Sequence, residues 1–274
     1  MAMNSSINHI QSWRKIHAEM EMGLPASDQS LSMNFGRWDD QPHQHLPIAR
    51  MLAGPWGGVL VADEVGLGKT ISAIIAIREL QARGERGGVI IACPGGLRSK
   101  WKQELHHRVE IDATSPKSCA EFLLTLDRLE AGENEVVIVS HGILRRAEIL
   151  DSLVDRNLNL MLTIMDEAHH ARNPKSRLHD GIQMLFLDSK WKMLLTATPV
   201  NLQSEDLYIL LSLIAPDRWP NIMAFHRTMR PTASINRAID VISRDPIDSE
   251  VILLEVNRLL HTASLADDPR LTEI

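Results

Sequence analysis

The sequence predicts an α/β protein with a central, mainly parallel sheet covered by helices on both faces. Three observations predict it. Short, continuously apolar runs recur along the chain, as in strands buried on both faces. Stretches with helical apolar spacing separate them. Each run then stops at a Gly, Pro or charged cluster. In an open parallel sheet ligands bind outside the carboxyl ends of the strands, so these polar motifs are expected to share one crevice.

In chain order, residues 1–36 are polar and Met-rich, with a helix predicted around Ile7–Met20. Asn34–His45 is rich in turn formers and His and reads as a lead-in loop. Val59–Ala62 is the first strand, followed by a Gly-rich turn. Thr70–Ala82 carries Ile71, Ile74, Ile75, Ile77 and Leu80 at helical spacing, and Gly84, Gly87 and Gly88 end it. Val89–Cys93 is the next strand, stopped by Pro94-Gly95-Gly96, and Leu97–His107 reads as a helix. Val136–Ser140, Leu160–Met165 and Met193–Thr196 are further strands. Ser204–Ile214 is a helix ended by Pro216, and Asp245–Leu260 is one amphipathic helix or two short ones. The expected organisation is an extension over 1–36, an α/β lobe over 37–229 and a helical tail over 230–274.

Composition narrows the function classes. Hydrophobic residues make up 44% of 274, enough for a substantial core. The net charge of −6 argues against a protein that coats nucleic acid by bulk charge, although a local basic patch would suffice for contact. The cysteines are two, Cys93 and Cys119. They form no CxxC pair, so no zinc site and no disulfide framework is expected, and a reducing, cytoplasmic setting fits. The N-terminus shows no secretory leader, and no apolar run is long enough to span a membrane.

Asp63-Glu64-Val65-Gly66-Leu67-Gly68-Lys69-Thr70 follows the first strand and opens a helix. Successive backbone N–H groups in such a turn cradle phosphates, and glycine lets the chain approach closely. The helix start adds its positive end. Lys69 supplies a mobile charge for the outer phosphates, and Thr70 a hydroxyl for Mg²⁺. Asp63 stands where the strict GxxxxGK[ST] pattern has glycine. Asp166 and Glu167 follow the apolar run Leu160–Met165. An acid at a strand end can hold Mg²⁺, and its neighbour can align or deprotonate the attacking water. We assign Asp166 to the metal and Glu167 to the water. His169 and His170 are adjacent, a poor chelating geometry; His169 is read as a coupling residue. Arg98, Lys100, Lys102, Arg145 and Arg146 are either phosphate contacts or solvated helix faces. Leu97 and Trp101 read as packing residues.

These residues resemble a family, the Swi/Snf-like branch of superfamily-two DEAH-type helicases and translocases, and within it the N-terminal RecA-like lobe. DEVGLGKT resembles that branch's phosphate loop and explains Asp63. Pro94–Leu105 (PGGLRSKWKQEL) resembles its second motif. Val137–His141 (VIVSH) resembles the strand-end motif that usually reads Ser-Tyr. Asp166–Asn173 (DEAHHARN) and Leu194–Tyr208 (LLTATPVNLQSEDLY) resemble its acidic and coupling motifs, and Pro42–Gln44 its adenine-reading glutamine motif. The TATP form leans toward bacterial members.

The resemblance implies a three-layer α/β/α RecA-like fold that binds ATP and Mg²⁺ and is stimulated by DNA. Gln44 would contact adenine. Glu64, Val65, Gly66, Leu67, Gly68, Lys69 and Thr70 would wrap the phosphates, with Lys69, Asp166 and Glu167 as the catalytic set. Thr196 and Thr198, with His169, would couple nucleotide state to movement. Pro94, Ser140 and His141 would lie near the nucleic-acid backbone, with Arg98 and Lys100 beside them. The expected partner is duplex DNA, held through its phosphates without sequence preference. The family's second lobe supplies arginines worth about 10³–10⁵ in rate, and no Q-x-x-G-R-x-x-R follows Pro216. The expectation is therefore slow hydrolysis without a second lobe, supplied by another polypeptide or by the rest of a longer chain. The alternative is a nucleotide-sensing regulatory or DNA-binding module with little hydrolysis of its own.

Overall fold

The apolar runs become five parallel strands in the computed structural model, which describes residues 36–38, 41–63, 66–197 and 204–229. The helices expected at Ile7–Met20 and Asp245–Leu260 lie outside the described residues. The strands are β1 (Gly58–Val61), β2 (Gly88–Cys93), β3 (Val136–Ser140), β4 (Leu160–Met165) and β5 (Ser189–Leu195). Their order across the sheet is β1-β5-β4-β2-β3, with every pairing parallel. β2, β3 and β4 are buried at every position, which is why each reads as an apolar run, interrupted only by Thr163 in β4 and ending on Ser140 in β3. β5 starts earlier than Met193 because its first half is polar. Ser189 and Thr163 share a buried hydroxyl–hydroxyl hydrogen bond of 2.6 Å, and Ser189 donates to the Leu185 carbonyl. Lys190 meanwhile reaches Glu85 at 2.6 Å. Satisfied polar groups are admissible inside a sheet.

The first helix corrects an expectation. Pro42–Ala53 is helical (α1), not a loop. Pro42 occupies the first turn, where a missing N–H costs nothing and the fixed φ suits a helix. Gln44, Pro47, Ile48 and Met51 are its buried residues, an i, i+3, i+4, i+7 stripe that two prolines and two histidines disguise. α1 packs on β1 and on α2 (Lys69–Ala82). α2 is buried nearly all round, including Glu79, whose carboxylate is met by Arg83 one turn on at 2.8 Å.

A 3₁₀ turn, Gly95–Leu97, leads into α3 (Arg98–Val109). Four more helices follow that periodicity alone does not announce: α4 (Cys119–Glu130), α5 (His141–Leu144), α6 (Ala147–Val154) and α7 (Arg177–Leu187). Three of them start on a serine cap. Ser118, Ser140 and Ser176 accept hydrogen bonds from the N–H groups of Glu121, Ile143 and His179. Ser118-x-x-Glu121 is a capping pattern visible in the sequence, with Glu121 also accepting the Lys117 N–H at 2.8 Å.

The chain divides into two units, Met1–Asn201 and Leu202–Ile274. The described part of the second holds α8 (Ser204–Ile214) and a helix α9 over residues 222–229. The two meet around Phe225, which lies 5.6 Å from Tyr208 and stands edge-on to Trp219 at 5.1 Å.

Candidate functional site

Because the five strands of the first unit run the same way, their carboxyl ends line one edge of the sheet. The strand order sets the row. Beginning at the β1 edge it reads the glycine loop, Thr196, Asp166, Pro94 and finally Ser140-His141. Neighbouring strands stand roughly 4.8 Å apart, so the strand leading to the loop and the strand leading to Asp166 are about 10 Å apart. Backbone bonds just past the strand ends hold this row together: Thr196 N–H to Val61 O at 2.9 Å, and Asp166 N–H to Ala92 O at 2.8 Å. Thr196 is fully buried there.

The loop enters α2 through Gly68, whose φ of 88° is left-handed, as is Gly66 at 95°. No side chain caps α2. Lys69 Nζ donates to the Asp63 carbonyl at 2.7 Å, folding the lysine over the loop it follows. α1 braces the loop. A His43 ring nitrogen lies 3.1 Å from Leu67 O, and the Gln44 amide fills the space above Gly68, where a Cβ would come within 2.3 Å of Nε2. Gln44 is buried, and its Oε1 has no hydrogen-bond partner. A buried orphan acceptor is costly, and a donor such as an exocyclic amine would relieve it. Glu64, Val65 and Thr198 lie outside the described residues.

Gly68→Ala is expected to destabilise more than Gly66→Ala. Both pay about 1–2 kcal/mol for a left-handed L-residue, but nothing lies within 4 Å of a Cβ at Gly66. Urea midpoints of the two variants, and of Gly68→Ala combined with Gln44→Ala, check this. Equal losses for both glycines would show that Gln44 does not brace the loop.

The acidic pair is held tightly. Asp166 Oδ1 accepts the Glu167 N–H at 2.9 Å, and Oδ2 accepts the Trp101 indole N–H at 2.9 Å. Glu167 itself sits at φ 51°, ψ 51°, an unusual backbone for a residue with a side chain and one that clusters at functional sites. The 3₁₀ turn it begins, Ala168–Ala171, is anchored by buried Ala168 and Ala171. His169 Nδ1 approaches Glu167 Oε2 to 3.3 Å, but the approach is not aligned, and Nδ1 has no hydrogen-bond partner. Burial, and then the neighbouring His170, lowers the His169 pKa. Both effects favour the neutral imidazole. Burial and the Asp166 charge push the Cys93 thiol up to about 12, so Cys93 is a packing residue.

Beyond Asp166 the row becomes basic. His170 stacks on His169 at 4.3 Å and meets His141 edge-on at 5.6 Å. His141 is brought down to about 4, first by burial and then by His170. A groove of about 540 Å³ opens here, lined by Pro94, His141, Arg145, Arg146, His170 and Arg177 among others. Pro94 and His141, expected near a polyanion, meet Arg145 and Arg146 here. The fold gathers all four, and adds His170 and Arg177. Ser140 is buried and spends its hydroxyl as the α5 cap. Arg98 is tied to the Pro116 and Gly95 carbonyls, and Lys100 is exposed on α3; neither lines the groove.

No group of three or more His, Cys, Asp or Glu capable of holding a metal occurs among the described residues. Mg²⁺ needs only one or two protein oxygens beside substrate phosphates and water, and Thr70 and Asp166 carry side-chain oxygens of that kind. No described helix is long and apolar enough to cross a membrane.

The family model described as "SNF2-related domain" matches residues 14–259. A curated relative, the uncharacterized ATP-dependent helicase YqhH of Bacillus subtilis, is 29% identical over 182 residues, covering 64% of this chain and 29% of the relative. The solved Sulfolobus solfataricus SWI2/SNF2 ATPase core in complex with dsDNA has a similar fold, with a TM-score of 0.57 at 18% identity. That likeness covers 84% of this chain and 45% of the solved one. The chain thus spans under a third of the relative's length and under half of the solved core.

Proposed function

The chain belongs to the SNF2-related domain family, and from that premise we propose that it is the ATP-binding lobe of a DNA-stimulated ATPase that moves on duplex DNA. The observation that carries the reading is the row of strand ends, which sets a phosphate loop, an acidic pair and a basic groove side by side. Lys69 and the backbone of residues 64–70 hold the phosphates, and Gln44 receives the base's amine. Thr70 and Asp166, with phosphate oxygens, would hold Mg²⁺, which neutralises charge on the transferred phosphoryl group. Glu167 aligns the attacking water and accepts its proton. His169, Thr196 and Thr198 pass nucleotide state to the rest of the motor. The groove takes the DNA backbone, phosphate by phosphate, without reading bases. A second RecA-like lobe, on another polypeptide or on the rest of a longer chain, supplies the transition-state arginines, so the lobe alone hydrolyses slowly.

Steady-state ATPase, measured with and without duplex DNA and with a second-lobe polypeptide added, tests this. Stimulation that needs both supports a motor half, while none under any condition leaves a nucleotide sensor. Arg145→Ala with Arg146→Ala is expected to weaken duplex binding about equally for all sequences. It should also flatten the log–log salt dependence by roughly two phosphate contacts. An unchanged slope would place the DNA elsewhere.

A further inference from the structure

Packing alone does not account for Trp101. It is 2% exposed, lies one turn into α3 and packs in the main core with Leu105 and Val109. For packing alone, its ring nitrogen would only need some acceptor, most often a backbone carbonyl or water. Instead it donates to Asp166 Oδ2 at 2.9 Å. The opposite oxygen, Oδ1, is taken by the Glu167 N–H at 2.9 Å, and the Asp166 backbone is tied to Ala92 O. One donor on each oxygen removes the carboxylate's freedom to rotate about its last bond, while each oxygen keeps acceptor capacity. A side chain that must meet a metal in one orientation gains affinity from such support.

We infer that Trp101 is a positioning residue for Asp166: its indole N–H sets the orientation in which that carboxylate meets Mg²⁺. The inference rests on the reading of Asp166 as the metal-holding acid. Loss of an outer hydrogen bond to a ligating carboxylate weakens metal affinity by about 10- to 100-fold. The expected deficit is therefore in magnesium requirement, not in nucleotide recognition.

The experiment is binding of a fluorescent ATP analogue to the full chain, titrated with MgCl₂. In the wild type, affinity should rise with Mg²⁺, and Asp166→Asn should remove that rise. Trp101→Phe should move the Mg²⁺ midpoint up by about 10-fold while leaving metal-free binding unchanged. Phenylalanine also leaves a void, so a second variant carries benzothienylalanine at position 101. That residue exchanges the N–H for sulfur at nearly constant volume, and should give the same shift with an unchanged urea midpoint. If the isosteric variant keeps the wild-type Mg²⁺ midpoint, Trp101 is only a packing residue and the inference is overturned. If the wild type itself does not respond to Mg²⁺, the assignment of Asp166 fails, and the inference fails with it.

Discussion

Lys69→Ala is expected to remove most nucleotide binding from this chain. The lysine opens α2 at the mouth of the glycine loop, where its ammonium meets the Asp63 carbonyl at 2.7 Å. A triphosphate arriving there brings several negative charges into a site whose other donors are backbone amides. Deleting one partner of a buried, hydrogen-bonded charge pair costs about 2–5 kcal/mol, which corresponds to roughly 30- to 5,000-fold in affinity. The fold should survive, because the apolar positions of α2 that pack in the core, from Ala73 to Leu80, are untouched. Isothermal titration with ATP and Mg²⁺, alongside circular dichroism, measures both. A folded variant with wild-type affinity would remove the phosphate-loop assignment and the nucleotide reading with it.

Glu167→Gln is expected to act on the chemistry instead. Glutamine matches glutamate in size, so the left-handed turn at position 167 and the Asp166 Oδ1 bond to its N–H are retained. What is lost is a proton acceptor. Turnover with DNA and a second lobe present should fall by about 10²–10⁴, the usual worth of general base catalysis, with ATP affinity held within about threefold. His169 loses no hydrogen bond in this substitution. Its Nδ1 lies 3.3 Å from the Glu167 carboxylate without being aligned on it. Single-turnover hydrolysis and equilibrium binding separate the two effects. A variant that loses affinity and keeps its rate would show that Glu167 binds and does not catalyse.

Most of the sheet was legible in the sequence because burial on both faces leaves a direct trace. β2, β3 and β4 have no position that could tolerate charge, and their limits match the apolar runs closely. The loop and the acidic pair were legible for a related reason: each is a polar interruption at a strand end. α1 was misread because its apolar stripe is carried by Gln44, Pro47, Ile48 and Met51, and two of these do not register as core formers. α4 and α7 are marked in the sequence most clearly by their serine caps, Ser118 and Ser176. The bond from Trp101 to Asp166 joins residues 65 apart in sequence. No local pattern encodes such a meeting; it follows only from the packing of α3 against the sheet. Arg177 and His170 join the groove for the same reason, since tertiary folding brings them to β3.

The shared hydrogen-bonded ladder has a mechanical consequence. The loop and the acidic pair are mounted on different strands of one parallel sheet, and the basic groove lies beside its last strands. The strand ends that carry the loop and the acidic pair are therefore held at a spacing set by the sheet's own hydrogen bonds. A unit that stiff makes a good anvil and a poor spring. On the proposed reading, a stroke driven by hydrolysis is taken up at the edges of this body and not inside its sheet.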